Sequence, residues 1–393
     1  MHIALLTPRL VEGDGQGRVN VEVAHLLLAR GHRLTVLAQE ITPALRSHPK
    51  VEWVRLPGRA WPTALLRELA MAWYSTRWLR RHRTSVDLIL SNGCLTRCPA
   101  DVNAVHFVHH AWQQTLPSPL QSRNLRAWYQ ALYTSLNVRW ERQAFADARV
   151  IVAVSDRIRA ELIDAGVSPD RICVIPNGVD PTEFAPGPVP RDALGLPSHV
   201  PLALFVGDLQ TPRKNLDTVL RALVDVPTLH LAVAGRIDDS PYPSLASTLG
   251  LGDRVHFLDF RRDVPALMRA ADFTVAPSRY EPFSLVVLES LASERPVITT
   301  QNVGAASLLN ADCGVVLDDP EDTDALAAAL SLLTNAPQRR EQMGKVGRAV
   351  ALQYTWDEIA ARYVSLLESM HAPDEVSDER IPSTRAPRPI SIH

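Results

Sequence analysis

Two glutamates eight positions apart, Glu281 and Glu289, carry the clearest chemical signal in this chain. A strand that ends just before them and a helix that starts between them would place both carboxylates beside unpaired amides at the helix N-terminus. Such amides attract an anion, most often phosphate, and carboxylates accept hydrogen bonds from vicinal hydroxyls. A ligand with both groups is a nucleotide sugar. An isolated pair of this spacing is more commonly a turn residue and a solvated helix position. Other segments of the chain must therefore show whether the two glutamates bind a ligand.

The elements that position these glutamates are predicted from the same segment. The apolar run 273–276 predicts a buried strand, Ser278 and Glu281 lie in the turn after it, and the helix is expected to start near Phe283. Open α/β sheets bind ligands at the C-terminal ends of their strands, which is where this turn would lie.

A second strand-to-helix segment adds positive charge. Gly207 follows the apolar run 202–206, and Arg213 and Lys214 come just before a helix expected from about Leu216. Cations at this point would neutralise a departing diphosphate. Only three of the 41 basic residues are lysines, which favours a specific use of Lys214. The alternative is an ordinary solvated loop.

The first predicted strand is followed by glycines at positions 13, 15 and 17 and then by a helical pattern through Arg30. Gly15 and Gly17 would let the backbone approach a ligand at a helix N-terminus. The spacing is not that of a dinucleotide fingerprint, and no acidic ribose-binding residue stands out about 20 residues further on. Alone, the segment is equally compatible with a flexible turn.

Composition indicates a soluble globular protein of two domains. The chain has 393 residues, of which 46% are apolar and 21% charged. It contains no apolar run near the roughly 18 residues that span a bilayer and no basic region ahead of residues 3–6. The four cysteines match no zinc pattern. We therefore expect a cytoplasmic protein with reduced thiols, and the acidic pair Asp238 and Asp239 is not expected to form a metal site.

Charge is unevenly distributed along the chain. Through Asp180, 22 Lys and Arg oppose 15 Asp and Glu, whereas the remainder has 19 against 28. The first half therefore suggests an anionic partner. Its basic aromatic stretches, 73–83 and 123–129, could lie peripherally on the inner membrane face beside a lipid-linked acceptor, or could be ordinary surface helices. Nucleic acid is not expected, because no recognised binding motif accompanies the charges.

Short apolar runs alternate with helical patterns, which predicts two doubly wound parallel sheets. The predicted strands are 2–7, 33–38, 51–56, 86–90, 103–108, 150–154 and 171–175 in the first half, and 202–206, 230–234, 255–258, 273–276 and 297–299 in the second. Prolines concentrate after residue 180, so the predicted domains are 1–180 and 181–355. A helix over 356–370 is expected to pack back on the first domain, and 371–393 is expected to be a disordered tail.

Together these segments resemble the retaining nucleotide-sugar glycosyltransferases of family 4, which have the GT-B fold. The resemblance extends over nearly the whole chain. It rests on the order and spacing of the glycine-rich first segment, Arg30-Gly31-His32, Val154-Ser155-Asp156, residues 174–180, the loop 207–214, Gly235, and residues 277–289.

The resemblance implies two Rossmann-like domains that face each other across a cleft, with the donor, a UDP- or GDP-sugar, held mainly by the second. It implies that Glu289 accepts from the ribose hydroxyls, that Glu281 contacts sugar hydroxyls, and that Lys214 compensates the charge of the leaving diphosphate. The remaining donor-binding residues implied in this way are Gly15, Gly17, Gly207, Pro282, Phe283, Ser284 and Leu285.

A histidine just beyond a first-domain strand approaches the transferred sugar in the family. The chain offers His106, His109 and His110. His109 is preferred for this role because it would lie at the end of the predicted strand. The alternative is a packing role, which is more common for a single histidine.

The chain departs from the family pattern at four positions. Asp208 replaces a usual arginine, so either Asp208 points away from the diphosphate or Arg213 supplies the missing charge. Ser284 and Glu294 stand where glycine is common. Ser307 replaces a frequent glutamate.

The function expected from the resemblance is metal-independent, retaining transfer of a hexosyl group from a nucleoside diphosphate sugar to a sugar-containing or lipid-linked acceptor, with no cofactor. Retention in the family is usually explained by front-side attack, so no carboxylate nucleophile is assigned. Two alternatives stay open: a nucleotide-sugar epimerase of the same fold, and a catalytically weak donor-binding scaffold.

Overall fold

Two parallel β-sheets form the framework of the protein, whose computed structural model describes residues 1–12, 15–58, 61–115 and 125–371. The strands within these ranges are β1 (His2–Leu6), β2 (Arg9–Leu10), β3 (Arg33–Ala38), β4 (Glu40–Ile41), β5 (Val51–Arg55), β6 (Leu88–Asn92), β7 (Val102–Val105), β8 (Val150–Ala153), β9 (Ile172–Val174), β10 (Leu202–Val206), β11 (His230–Ala234), β12 (Val255–Phe257), β13 (Phe273–Ala276), β14 (Val297–Thr300) and β15 (Gly314–Leu317). The first sheet has the order β5-β3-β1-β6-β7-β8-β9, the second has the order β12-β11-β10-β13-β14-β15, and β2 pairs with β4. The predicted pair of Rossmann-like units is confirmed.

Helices connect most of the strands, as parallel pairing requires. They are α1 (Gly15–Ala29), α2 (Pro43–Arg46), α3 (Ala64–His82), α4 (His109–Thr115), α5 (Leu125–Asp147), α6 (Asp156–Asp164), α7 (Leu216–Leu223), α8 (Tyr242–Thr248), α9 (Val264–Ala270), α10 (Leu285–Ala292), α11 (Thr323–Asn335), α12 (Pro337–Ala351) and α13 (Trp356–His371). Central strands such as β1 and β10 are apolar and almost wholly buried because neighbouring elements cover them.

In each sheet the strand order reverses between two central strands. β1 pairs with β3 on one side and β6 on the other, and β10 pairs in the same way with β11 and β13. Loops that leave the C-terminal ends of such strands diverge and leave a crevice. The loops after β10 and β13 carry Lys214 and Glu281, so the second sheet places both residues at its reversal point.

Helix α13 returns to the first sheet and packs against α1. Its Glu368 carboxylate accepts from Arg30 at 2.6 Å and contacts His32 Nε2 at 3.0 Å. Gly178 leaves no room for a side chain, since a Cβ there would lie 2.8 Å from ring atom Cε3 of Trp356. The domain boundaries at 180 and 355 stay predictions, and residues 372–393, most of the predicted tail, lie outside the described residues.

Three local features differ from the sequence predictions. A strand is predicted over 103–108, whereas β7 ends at Val105. The helix predicted near Phe283 begins at Leu285. Strand β15 and the short pair β2 and β4 are not predicted, because β15 opens with a glycine that weakens the strand pattern and the other two have two residues each.

Candidate active site

Two loops meet at the reversal point of the second sheet. The loop after β10 ends in a single 3-10 turn, Pro212–Lys214, and the loop after β13 leads into α10. Asn215 joins them: its backbone is left-handed at φ 65°, and its buried side-chain amide donates to the Pro277 carbonyl at 3.0 Å. Asparagine tolerates this backbone conformation better than most residues. It therefore fixes the turn that carries Lys214 beside the second loop.

Arg213, Lys214 and Glu281 form one ionic cluster. Arg213 Nη1 donates to Glu281 Oε2 at 2.8 Å, and Lys214 Nζ donates to the same oxygen. The side chains of Lys214 and Glu281 are only 15% and 14% exposed, so water screens this cluster weakly. Two cations share one carboxylate and leave a net positive charge. The cluster is therefore suited to bind an additional anion.

The loop that carries Glu281 is held by both domains. The Glu281 amide donates to the Asn302 carbonyl at 3.1 Å. The preceding residue, Tyr280, is buried and donates its hydroxyl to Glu161 of the first domain at 2.9 Å. Pro282 is fixed in the same way, because its carbonyl accepts from Ser155 Oγ at 2.7 Å. The position of the Glu281 carboxylate therefore depends on contacts from both sides of the cleft.

Glu289 lies in the second turn of α10, and its side-chain carboxylate makes no hydrogen bond or ion pair with the residues that the structure describes. Burial, and to a smaller extent the neighbouring Glu183 carboxylate, raise the pKa of Glu289 to about 7, and Lys214 opposes this shift. A half-buried carboxylate without a partner is costly. Its two oxygens are free to accept hydrogen bonds from a ligand.

The N-termini of α1 and α10 face each other across the cleft. A Cβ built on Gly15 would lie 3.3 Å from Leu285 Cδ1, so the first residues of the two helices are close together and leave little room for a side chain at position 15. Gly17 follows in the first turn of α1 and is buried. Helix N-termini carry unpaired amides and a positive partial charge. Phe283 and Ser284 lead into α10 and are buried at the same place.

Gly207 provides the space for the lysine side chain. A Cβ at this position would lie 3.1 Å from Lys214 Cγ, which is tighter than ordinary contact. The aliphatic part of Lys214 thus packs against the backbone at the end of β10, and its ammonium group extends to Glu281.

The sequence predicts His109 at the end of a strand. In the structure it is instead the first residue of α4. Its Nδ1 contacts Glu141 Oε1 at 2.6 Å, and its backbone amide donates to Glu141 Oε2 at 2.9 Å. Glu141, on α5, is 4% exposed. This carboxylate fixes the imidazole and leaves Nε2 for other partners. No local pattern in the sequence pointed to Glu141, because it lies 32 residues away on another helix.

His106 and His110 have different environments from His109. The Nε2 atom of His106 is buried without a hydrogen-bond partner, and burial lowers its pKa to about 4. His106 is therefore a neutral imidazole. His110 follows His109 in the first turn of α4.

Two family models match the chain in succession. Glycosyltransferase Family 4 matches residues 13–183, and Glycosyl transferases group 1 matches residues 190–350. The chain belongs to glycosyltransferase family 4. This confirms the resemblance on which the sequence analysis relied.

A curated relative of this family 4 chain is the D-inositol 3-phosphate glycosyltransferase of Xylanimonas cellulosilytica, which is 35% identical over 239 residues. The match covers 56% of the chain and 57% of the relative. The chain thus spans little more than half the length of the curated relatives it matches.

Solved structures of similar fold include sucrose-phosphate synthase from Thermosynechococcus elongatus and Anabaena HepE in complex with UDP-glucose. The first has a TM-score of 0.79 and 21% identity, with 94% of this chain and 99% of that chain covered. HepE has a TM-score of 0.71 and 21% identity, with coverage of 94% and 100%. These likenesses show the GT-B fold.

The departures from the family 4 pattern have structural explanations at three positions. Asp208 is exposed and directs its carboxylate into its own turn, where it accepts from the Gln210 amide at 2.9 Å and the Thr211 hydroxyl at 2.7 Å. Ser284 and Glu294 have positive φ angles of 86° and 57°, which explains why glycine is common at both positions.

Ser307 is the fourth departure. It is exposed, and its hydroxyl donates to the Gly304 carbonyl at 3.1 Å. Nothing else in the structure explains why serine stands at this position.

The described part of the chain has neither a cluster of metal ligands nor a helix that could span a membrane. Within it, no group of three or more His, Cys, Asp or Glu side chains could hold a metal ion. Asp238 and Asp239 belong to no such group. No described helix has both the length and the apolar character to cross a bilayer.

Proposed function

We infer that the protein is a retaining glycosyltransferase that moves a hexosyl group from a nucleoside diphosphate sugar to a sugar-containing or lipid-linked acceptor. The observation that carries this proposal is the cluster of Arg213, Lys214 and Glu281 at the reversal point of the second sheet. An excess cation beside a helix N-terminus is what a diphosphate leaving group requires.

We assign the ribose, the diphosphate and the sugar of the donor each to a group in the cleft. Glu289 would accept from the ribose hydroxyls, which would supply the hydrogen bonds that it otherwise lacks. The first amides of α10, together with the N-terminus of α1 at Gly15, would bind the diphosphate. Glu281 would accept from sugar hydroxyls through its second oxygen, because the cations bond to Oε2.

The proposed reaction breaks the bond between the anomeric carbon and the diphosphate oxygen and forms a bond to the acceptor hydroxyl oxygen on the same face. The acceptor proton passes to the departing phosphate oxygen, so retention needs no carboxylate nucleophile. Glu281 is poorly suited to that role because two cations already bond to one of its oxygens. Lys214 and Arg213 would stabilise the charge that grows on the diphosphate.

His109 is assigned to the sugar side of the site. Glu141 fixes its ring through Nδ1, so Nε2 can contact a hydroxyl of the transferred hexose without rotation of the imidazole. The fixed ring would orient the sugar for attack.

The comparisons support the choice of ligands for a test. Anabaena HepE binds UDP-glucose, and the Xylanimonas relative is named for a phosphorylated acceptor. UDP- and GDP-sugars are therefore the first donors to compare.

The proposal is tested by thermal unfolding with UDP, GDP and their hexose conjugates, followed by assay of donor cleavage. A nucleotide at 100 times its dissociation constant should stabilise the native state by about 2.7 kcal/mol. Stabilisation with donor hydrolysis or transfer supports a transferase. Stabilisation without turnover over a broad acceptor panel indicates a binding scaffold, and release of an epimerised sugar nucleotide indicates an epimerase. No stabilisation by any nucleotide would refute the donor site.

A further inference from the structure

A groove along α3 lies next to a second cavity, which is beside His109 and has several polar side chains in its lining. The groove encloses about 850 Å³ and the cavity beside His109 about 410 Å³. Arg97 and Ala72 line both of them. The two spaces are therefore adjacent at Arg97, with His109 on one side and the exposed face of α3 on the other.

One part of the groove is apolar although it is exposed. Leu66, Leu69 and Trp73 lie on one face of α3 and are 40%, 38% and 58% exposed. Helix α5 extends this surface, since Tyr129 accepts a hydrogen bond from the Leu65 amide at 3.2 Å and Leu132 is 54% exposed. Apolar side chains grouped in this way mark an interaction site.

The other part of the groove is basic. Its guanidinium groups belong to Arg77, Arg80, Arg81 and Arg97, and none of them forms an ion pair with a carboxylate among the described residues. Arg97 lies over the Trp140 ring at 4.6 Å, and its backbone amide donates to Thr76 Oγ1 at 2.8 Å. Partial burial lowers the pKa of Arg97. An arginine that is held in place and lacks a carboxylate partner is suited to bind phosphate.

We propose that the acceptor is an amphiphile in which a phosphate joins a hydroxyl-bearing head group to an apolar chain. The head group enters the cavity beside His109, the phosphate binds Arg97, and the chain lies along Leu66, Leu69 and Trp73. This inference rests on the proposed transferase function and specifies its acceptor. Charge complementarity at Arg97 and the position of Arg97 in the lining of both cavities favour this occupant over a soluble sugar, which would leave the apolar part exposed.

Binding of short alkyl phosphates to the full chain tests the proposal. Isothermal titration would compare hexyl and octyl phosphate, below their micelle concentrations, with inorganic phosphate and octanol. Octyl phosphate should bind at least tenfold more tightly than either inorganic phosphate or octanol. The two methylene groups that distinguish octyl from hexyl phosphate should strengthen binding roughly tenfold.

Two substitutions separate the phosphate contact from the chain contact. Arg97→Gln should weaken octyl phosphate at least tenfold and leave octanol unchanged. Its matched control is Arg46→Gln, which also removes an arginine stacked on a tryptophan, Trp53, but lies outside the groove. Trp73→Ser should remove most of the dependence of affinity on alkyl chain length. The control Phe260→Ser, at a 63% exposed aromatic residue of the second domain, should leave that dependence unchanged.

Three outcomes would overturn the proposal. Equal affinity for inorganic and octyl phosphate would indicate an anion site without a chain site. Recruitment to anionic phospholipid vesicles without binding of octyl phosphate would indicate membrane attachment alone. Retention of octyl phosphate affinity by Arg97→Gln would remove the phosphate contact. Stabilisation by UDP is measured on the same samples, so failure of the acceptor site is distinguished from failure of the donor site.

Discussion

Substitution of Glu289 by glutamine should make the free protein more stable and the nucleotide complex weaker. Glutamine keeps the size of the side chain and removes its charge. The native pKa of Glu289 is about 7, raised mainly by burial from an ordinary value of 4.5. Between these two values the native protein holds a proton that the unfolded chain has lost, so the contribution of this group to stability decreases as pH rises through that window.

The magnitude follows from the difference between the two pKa values. A difference of about 2.5 corresponds to about 3 kcal/mol, the maximum penalty above pH 7. Glu289→Gln should therefore raise the free energy of unfolding by up to about 3 kcal/mol at pH 8 and change it little at pH 4.5. Urea unfolding at the two pH values measures this difference. Glu358→Gln, at an exposed position of α13, should show no comparable dependence.

The Glu289 charge that destabilises the free protein should strengthen nucleotide binding. Ribose hydroxyls donate to an ionised carboxylate, so binding of UDP at pH 6.5 should release a fraction of a proton from Glu289. Calorimetry in buffers of different ionisation enthalpy measures this release. The Glu289→Gln protein should release none and bind UDP at least tenfold more weakly. Unaltered affinity together with unaltered proton release would refute the ribose contact.

Three further substitutions test the remaining parts of the site. Lys214→Ala should lower turnover by a factor of about 100 or more with little loss of stability, whereas Lys345→Ala should leave turnover unchanged; equal rates for both would contradict the role of Lys214. Glu141→Gln should lower kcat roughly 10- to 100-fold, because it removes a charge-assisted hydrogen bond to His109, and UDP affinity should stay the same; a parallel loss of affinity would point to general disruption. Glu294→Gly should stabilise the protein by about 1 kcal/mol in denaturant unfolding, because glycine adopts its φ of 57° without strain; destabilisation would show that its side chain makes a compensating contact.

The sequence was sufficient to predict the two sheets and the loops that carry the proposed donor site. Central parallel strands are buried on both faces, so they give continuous apolar runs such as β10 and β13 that are visible without a structure. The loops that follow these two strands carry the charged residues Lys214 and Glu281. The local sequence pattern is therefore enough to predict the position of a residue that lies in the loop directly after a buried strand.

Residues that depend on contacts between distant elements were not predictable in this way. Glu141 meets His109 only because α5 packs beside α4, and the interior of a long helix gives no sign of such a partner. The same holds for Arg97, whose importance comes from the position of its side chain between two cavities. The positive φ of Ser284 was indicated only by comparison with the family pattern, since serine itself carries no backbone signal.

The ionic cluster explains how one carboxylate can serve a site for an anionic ligand. Glu281 neutralises part of the charge of Arg213 and Lys214 while the cleft contains no diphosphate, and so limits the cost of holding two poorly solvated cations together. In the proposed donor complex, the diphosphate would compete for the same two cations. As it took them, Glu281 Oε2 would join Oε1 as an acceptor for sugar hydroxyls of the same ligand. The proposed mechanism therefore links charge stabilisation of the leaving group to recognition of the sugar through one side chain, and the loop that carries this side chain is fixed by both domains.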